Sequence, residues 1–242
     1  MANMNDRTIK VLGNDKVNSF ENKVILVAGL GGVGGTALEA LARTGFTNFI
    51  LIDFDKVDES NLNRQILYTR NDVGKEKTEV AKVKLLSINP NIKIETISSK
   101  IDEGSFAKFD KKVDFIVDAI DFVKGKLEIY KFAIENSIPF ISSLGMGNRI
   151  DPSKVVIAKL NQSTGDPLAR KIRYEAKQLS LDLSKINVVY SKEEPLLKSA
   201  TPGSIITVPS AAGLLMAKYV IENIKWDRYN IREVKDYDGN NW

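Results

Sequence analysis

Residues 24–36 read Val24-Ile-Leu-Val-Ala28-Gly29-Leu30-Gly31-Gly32-Val33-Gly34-Gly35-Thr36, and this stretch decides the fold. Five apolar residues in succession, three of them β-branched, suit a strand that a parallel sheet buries on both faces. Gly29-Leu-Gly31-Gly32-Val-Gly34 then fits G-x-G-x-x-G in the context that gives the pattern meaning, after a strand and at the start of a helix. From Gly34 the apolar positions Ala37, Leu38, Leu41 and Ala42 recur at helical spacing as far as Gly45. Asn48-Phe-Ile-Leu-Ile-Asp53 reads as a second strand, so the whole is a βαβ unit.

Working outward, the alternation of strand and helix continues. A helix is expected over 75–87, closed by Asn89-Pro90, followed by a strand over 93–97, a strand over 115–118, a helix over 126–136 and a strand over 139–143. The fold class is α/β, a Rossmann-like doubly wound and mostly parallel sheet with helices on both faces. After Gly147 a C-terminal extension adds a strand over 155–160, a basic helix over 167–178, a long irregular crossover over 179–202, a strand over 205–208 and an apolar helix over 211–224. Segment 179–202 reads as a mobile lid or docking loop. One domain spans residues 1–242, with a nucleotide-binding part to about residue 147, a substrate-side part to about 224 and a polar tail beyond it.

Composition narrows the chemistry. The 242 residues contain no Cys and no His, which removes disulfides, thiolate nucleophiles, zinc knuckles, Ser-His-Asp triads and any imidazole base. What remains is carboxylates, Lys, Arg, Tyr, hydroxyls, backbone groups or a bound metal. A net charge of +4 permits a polyanionic partner without requiring one. The first residues lack an apolar signal core, and the late apolar stretch from Ile205 is interrupted by Pro209, Ser210 and Lys218, so the expectation is a cytoplasmic protein with no membrane span.

The glycines Gly29, Gly31, Gly32 and Gly34 allow a tight turn that brings backbone N–H groups to a phosphate at the positive end of a helix. Asp53 ends the second strand, where a carboxylate accepts hydrogen bonds from a ribose diol. These features alone say only "nucleotide". Asp55, Asn61, Arg64, Gln65 and Lys77 follow, bringing two cations and two amides within reach of one ligand. The pyrophosphate of NAD needs little beyond backbone and a helix end, whereas an ATP attacked at its α-phosphate needs its leaving charge neutralised. Asp118 and Asp121 lie at the carboxyl end of another strand, where Asp121 can hold Mg²⁺. Jointly these residues favour ATP.

Gly29-x-Gly31-Gly32-x-Gly34, Asp53-x-Asp55-x-Val57, Asn61-x-x-Arg64-Gln65, Val73-Gly74-x-x-Lys77 and Asp118-x-x-Asp121 resemble the motifs of the adenylate-forming superfamily of ubiquitin-activating enzymes and their bacterial relatives. The resemblance implies ribose binding by Asp53, phosphate binding by Asn61, Arg64, Gln65 and Lys77, and metal binding by Asp121. It also implies a homodimer in which Arg7 reaches the partner's phosphates. The second half, with Ile141-Ser-Ser-Leu-Gly145, Asn148, Asp151-Pro152, Asp166-Pro167-Leu-Ala-Arg170-x-x-Arg173, Val188-Val-Tyr-Ser191, Glu194-Pro195 and Val208-Pro-Ser-x-Ala-Gly213, is similar to the tRNA threonylcarbamoyladenosine dehydratase branch.

That branch implies ATP and Mg²⁺ as cofactors, no zinc, and a tRNA carrying threonylcarbamoyladenosine as substrate. The carboxylate of the threonylcarbamoyl group would be adenylated and then close a ring with loss of AMP, a step that needs no covalent enzyme intermediate. The ring-closing base stays open among Asp118, the substrate phosphate and water. Arg149, Arg170, Lys171, Arg173 and Lys177 are the candidates for contact with the tRNA backbone. Some members of the branch work with a sulfur relay, and a chain without Cys cannot carry a persulfide, which argues against that partner. The rival readings are an adenylating enzyme for the C-terminus of a small sulfur-carrier protein, an NAD-dependent oxidoreductase and a non-catalytic nucleotide sensor. Relatives that serve carrier proteins usually bear paired C-x-x-C zinc ligands, which this sequence lacks.

Overall fold

The computed structural model describes residues 4–197 and 202–225. Seven strands form one sheet: β1 (Val24–Ala28), β2 (Asn48–Ile52), β3 (Lys93–Ile97), β4 (Phe115–Asp118), β5 (Phe140–Ser143), β6 (Val155–Lys159) and β7 (Asn187–Ser191). Their order is β3-β2-β1-β4-β5-β7-β6, parallel throughout except for β6, which runs antiparallel to β7. The expected doubly wound α/β architecture is therefore present. Two short helices, α1 (Asp6–Leu12) and α2 (Asn14–Phe20), precede the sheet, and α3 (Gly32–Thr44), α4 (Lys77–Ile88), α5 (Val123–Glu135), α6 (Pro167–Gln178) and α7 (Thr207–Asn223) cover it.

The unbroken apolar run of β1 follows from burial on both sides. Ile25 and Val27 join a cluster with Leu38, Leu51, Val117 and Met216, while Leu26 and Ala28 join another with Ile52, Ile116, Tyr130, Ile172 and Val188. With side chains alternating across the pleat, both phases of the strand must be hydrophobic.

Two expectations fail in the second half. Within segment 179–202, expected as an irregular crossover, Asn187–Ser191 forms β7 and inserts between β5 and β6, while residues 198–201 lie outside the described residues. Residues 205–208 form no strand: α7 begins at Thr207, and Pro209 occupies its first turn, where a missing N–H costs nothing. The helix expected from residue 126 begins at Val123, with Gly125 and Lys126 already inside it.

Candidate active site

The chain reverses its direction of winding at β1, whose neighbours β2 and β4 lead to opposite halves of the sheet. Ligands in such folds bind beyond the carboxyl ends of the strands at that crevice. Here a cavity of about 290 Å³ lies there, walled by Gly29, Gly31, Gly32, Asp53, Asp55, Asn61, Arg64, Gln65, Lys77 and Asp121, among others.

Close packing builds the floor. Gly29 takes φ +86°, and a Cβ there would stand 2.7 Å from the Ala119 carbonyl carbon and oxygen. A Cβ on Gly34 would meet the Gly29 carbonyl oxygen at 1.8 Å, so Gly34 itself is held by helix packing and does not line the cavity. Tyr68 Oη donates to the Leu30 carbonyl at 2.8 Å, bracing the turn from behind.

Asp53 is 8% exposed and braces the same turn: its Oδ2 accepts from Leu30 N at 2.6 Å and its Oδ1 from Asp55 N at 2.8 Å. Burial pushes this carboxyl above its ordinary value, against the pull of Lys77 and of those two amides. Lys77 opens α4, is almost wholly buried, and pairs with Asp55 Oδ2 at 2.8 Å. Arg64 folds back onto the Ser60 carbonyl at 2.7 Å and Asn63 Oδ1 at 2.9 Å. Asn61 Oδ1 accepts from Asp58 N, pinning the loop that carries both residues. Gln65 is 6% exposed, and its Oε1 has no hydrogen-bond partner among the described residues.

Besides Gly34, further expected site residues fall elsewhere. Asp118 does not line the cavity: it is fully buried, with its Oδ2 2.9 Å from Lys126 Nζ and 2.6 Å from Ser142 Oγ. This burial sets it apart from the cavity in which a ring-closing base is expected. Arg149, expected on a tRNA-binding surface, is 4% exposed; it donates to the carbonyls of Glu193 at 2.8 Å, Gly145 at 2.9 Å and Gly147 at 3.1 Å. Its guanidinium therefore joins two main-chain segments, 145–147 and the one at Glu193. Arg170, Lys171 and Lys177 are exposed on α6, whereas the half-buried Arg173 donates to the Ser163 carbonyl at 2.8 Å and Oγ at 2.7 Å. Arg7 is exposed on α1.

Sequence reading missed Phe54, Phe122, Ser99, Ile101, Ser204 and Pro209 as cavity walls. Phe54 and Phe122 meet edge to face at 6.3 Å, and Lys100 Nζ lies 5.0 Å from the Phe122 ring centre. A Phe directly after Asp53 was the available signal for this apolar end.

The residues fit a nucleotide: the glycine turn, the cations Arg64 and Lys77 and the aromatic rings of Phe54 and Phe122 line one cavity. Among the described residues no group of three or more His, Cys, Asp or Glu can hold a metal unaided. Asp121, an exposed carboxylate on the cavity wall, suits a divalent ion shared with phosphate oxygens, the way Mg²⁺ is commonly bound.

The ThiF family model matches residues 5–240. The tRNA threonylcarbamoyladenosine dehydratase of Bacillus subtilis is 30% identical over 255 residues, 98% of this chain and 100% of that protein. The crystal structure of E. coli tRNA N6-threonylcarbamoyladenosine dehydratase in complex with ATP has a TM-score of 0.85 at 29% identity, covering 91% of this chain and 93% of that one. The molybdopterin-synthase adenylyltransferase of Haemophilus influenzae is 36% identical, over 55% of each chain. By sequence and by fold, the chain belongs to the ThiF family.

Proposed function

We infer that the chain is an ATP-dependent tRNA threonylcarbamoyladenosine dehydratase, which adenylates the threonyl carboxylate and lets it cyclise with release of AMP and pyrophosphate. The observation that carries this reading is that Arg64 and Asp121, from two separate loops, and Lys77, from the start of α4, wall the same cavity as the glycine turn. Two cations and a carboxylate on the wall of one cavity suit attack on ATP better than the holding of a dinucleotide.

In this reading Asp53 takes the ribose hydroxyls and the Phe54 and Phe122 end takes the base. The substrate carboxylate forms a bond to the α-phosphorus while the bond to the β-phosphate oxygen breaks. Arg64, Lys77 and the partner subunit's Arg7 meet the charge that develops on phosphorus and leaving group. Mg²⁺ on Asp121, when bound, supplies Lewis-acid stabilisation of the same charge. A nitrogen of the same side arm then attacks the activated carbonyl, and AMP departs with one carboxylate oxygen, so the net change is loss of water. Ring closure within one side arm benefits from effective molarity, so the absence of Cys is no obstacle. Arg170, Lys171 and Lys177 form the face that meets the tRNA backbone, and the working unit is a homodimer.

The rival, adenylation of a small sulfur-carrier protein, rests on a likeness covering 55% of the chain and lacks paired cysteines to hold zinc. The test is to incubate total tRNA that retains threonylcarbamoyladenosine with ATP and enzyme, and to weigh the nucleoside. Loss of one water, absent with Arg64→Ala, supports the reading. An unchanged nucleoside, together with pyrophosphate exchange stimulated by a sulfur-carrier protein, transfers the assignment to the rival.

A further inference from the structure

Asp118, Lys126, Tyr130 and Ser142 form a polar network with every member fully buried. Asp118 ends β4, and Ser142 lies opposite it in β5. Lys126 Nζ donates to Asp118 Oδ2 at 2.9 Å and to Ser142 Oγ at 3.1 Å, while Ser142 Oγ also meets Tyr130 Oη at 2.7 Å. Burying such a pair is a poor route to stability, because desolvation offsets the attraction and well-packed neutral replacements are often no worse. Its value is better sought in what it holds.

The pair brackets a short loop. Asp118 is the last residue of the strand and Lys126 lies in the opening turns of α5, so residues 119–122 run between the two ends of one ion pair. All four of these residues, Ala119, Ile120, Asp121 and Phe122, wall the cavity. Asp118 Oδ1 also accepts from Ile120 N at 3.3 Å, tying the loop directly to the pair. On the other side, the close approach of Gly29 to Ala119 leaves the loop no room to shift inward.

We propose that Lys126 is a positioning residue for adenylation, acting through Asp118 to hold loop 119–122 and the Asp121 carboxylate in place. The proposal rests on the reading of this cavity as the ATP site. Neither Lys126 nor Asp118 touches the nucleotide, so removing them acts only by releasing the loop.

The test compares wild type, Lys126→Met and the double variant Asp118→Asn/Lys126→Met, which removes both charges at similar volume. Lys126→Met alone strands a buried carboxylate and melts at lower temperature. The double variant is expected to melt near wild type, yet to exchange the amide hydrogens of residues 119–122 faster than wild type in the ligand-free protein. Its kcat for AMP release should fall about tenfold or more, as for other residues one layer behind a ligand-binding group, with the KM for tRNA unchanged. A double variant with wild-type exchange and wild-type kcat, or one that does not fold, assigns the pair to stability alone and overturns the proposal. Absence of AMP release from wild type would instead sink the adenylation reading, and the exchange measurement would still decide whether the pair holds the loop.

Discussion

Lys77 Nζ stands 2.8 Å from Asp55 Oδ2, and the two ends of this ion pair differ in setting: the lysine is 6% exposed and the aspartate 46%. The buried cation is thus presented at the cavity wall with its partner on the solvent side. A phosphate entering the cavity competes with Asp55 for an ammonium that is already in place and needs little further ordering. Replacing Lys77 by Met should lower kcat/KM for AMP release by about a hundredfold or more, in line with loss of one preorganised charge-stabilising group. Steady-state kinetics in ATP and tRNA check this, and an unchanged kcat/KM would remove Lys77 from the reaction.

Gly31 and Gly34 separate binding from folding. A Cβ on Gly31 finds only Gln65 Nε2 at 3.9 Å, so Gly31→Ala should melt close to wild type while obstructing the phosphate end of the cavity. On Gly34 the same atom collides with the Gly29 carbonyl oxygen, and Gly34→Ala should cost about 3 kcal/mol or more of stability. Thermal melts together with ATP titrations distinguish the two. Equal losses of stability would contradict the assignment of Gly31 to the ligand.

Asp53 predicts a pH signature. Its folded carboxyl is raised above the unfolded value by burial, so the native state holds the proton more tightly. The stability that this contributes is fully present below the unfolded pKa and is lost as pH rises through the folded one. The melting temperature of Asp53→Asn should therefore gain on wild type from acid toward neutral pH, whatever constant offset the lost hydrogen bond adds. A difference that stays flat or shrinks over that range would contradict the placement of this charge.

Much of this site was legible because its chemistry sits on the ends of strands that announce themselves. The runs in β1, β2 and β4 are apolar in both phases, and the turns after them carry Gly29, Asp53 and Asp121. β7 was obscured because its β-branched and aromatic run, Val188-Val-Tyr190, is only three residues long and sits in a long polar stretch, and it becomes a strand by pairing with β5 and β6. Ile205-Ile-Thr-Val208 misled in the opposite direction: β-branched residues favour a strand, but Val208, Ala212 and Met216 pack as one helical face against the sheet. Lys126 and Arg149 were invisible in their true roles, since a buried Lys or Arg is spelled like a solvated one. Only the fold brings Asp118 to the first and the carbonyls of Gly145, Gly147 and Glu193 to the second.

The exposed cations of α6 give a prediction about the macromolecular substrate. Reversing Arg170, Lys171 and Lys177 to Glu should raise the KM for tRNA and flatten its dependence on salt, leaving kcat at saturating tRNA near wild type. Binding measured across a salt series decides it, and an unchanged salt slope would move the tRNA to another face. The residues from Trp226 onward, the polar tail of the sequence, lie outside the described residues.

Arg7 carries the prediction about assembly. If it completes the partner's site, Arg7→Ala and Arg64→Ala are each defective alone, and mixing them under conditions of subunit exchange restores activity that neither parent shows. Failure to complement, with exchange verified, would place Arg7 outside the site.

The most direct test of the adenylation claim follows one oxygen. With threonylcarbamoyladenosine in tRNA labelled with ¹⁸O in its threonyl carboxylate, attack on the α-phosphorus and ring closure must deliver one labelled oxygen to AMP. Mass spectrometry of the nucleotide products should find the label in AMP and none in pyrophosphate. Label in a phosphate released alongside ADP, or AMP free of label beside a dehydrated nucleoside, would contradict activation at the α-phosphate and with it the roles given to Arg64, Lys77 and Asp121.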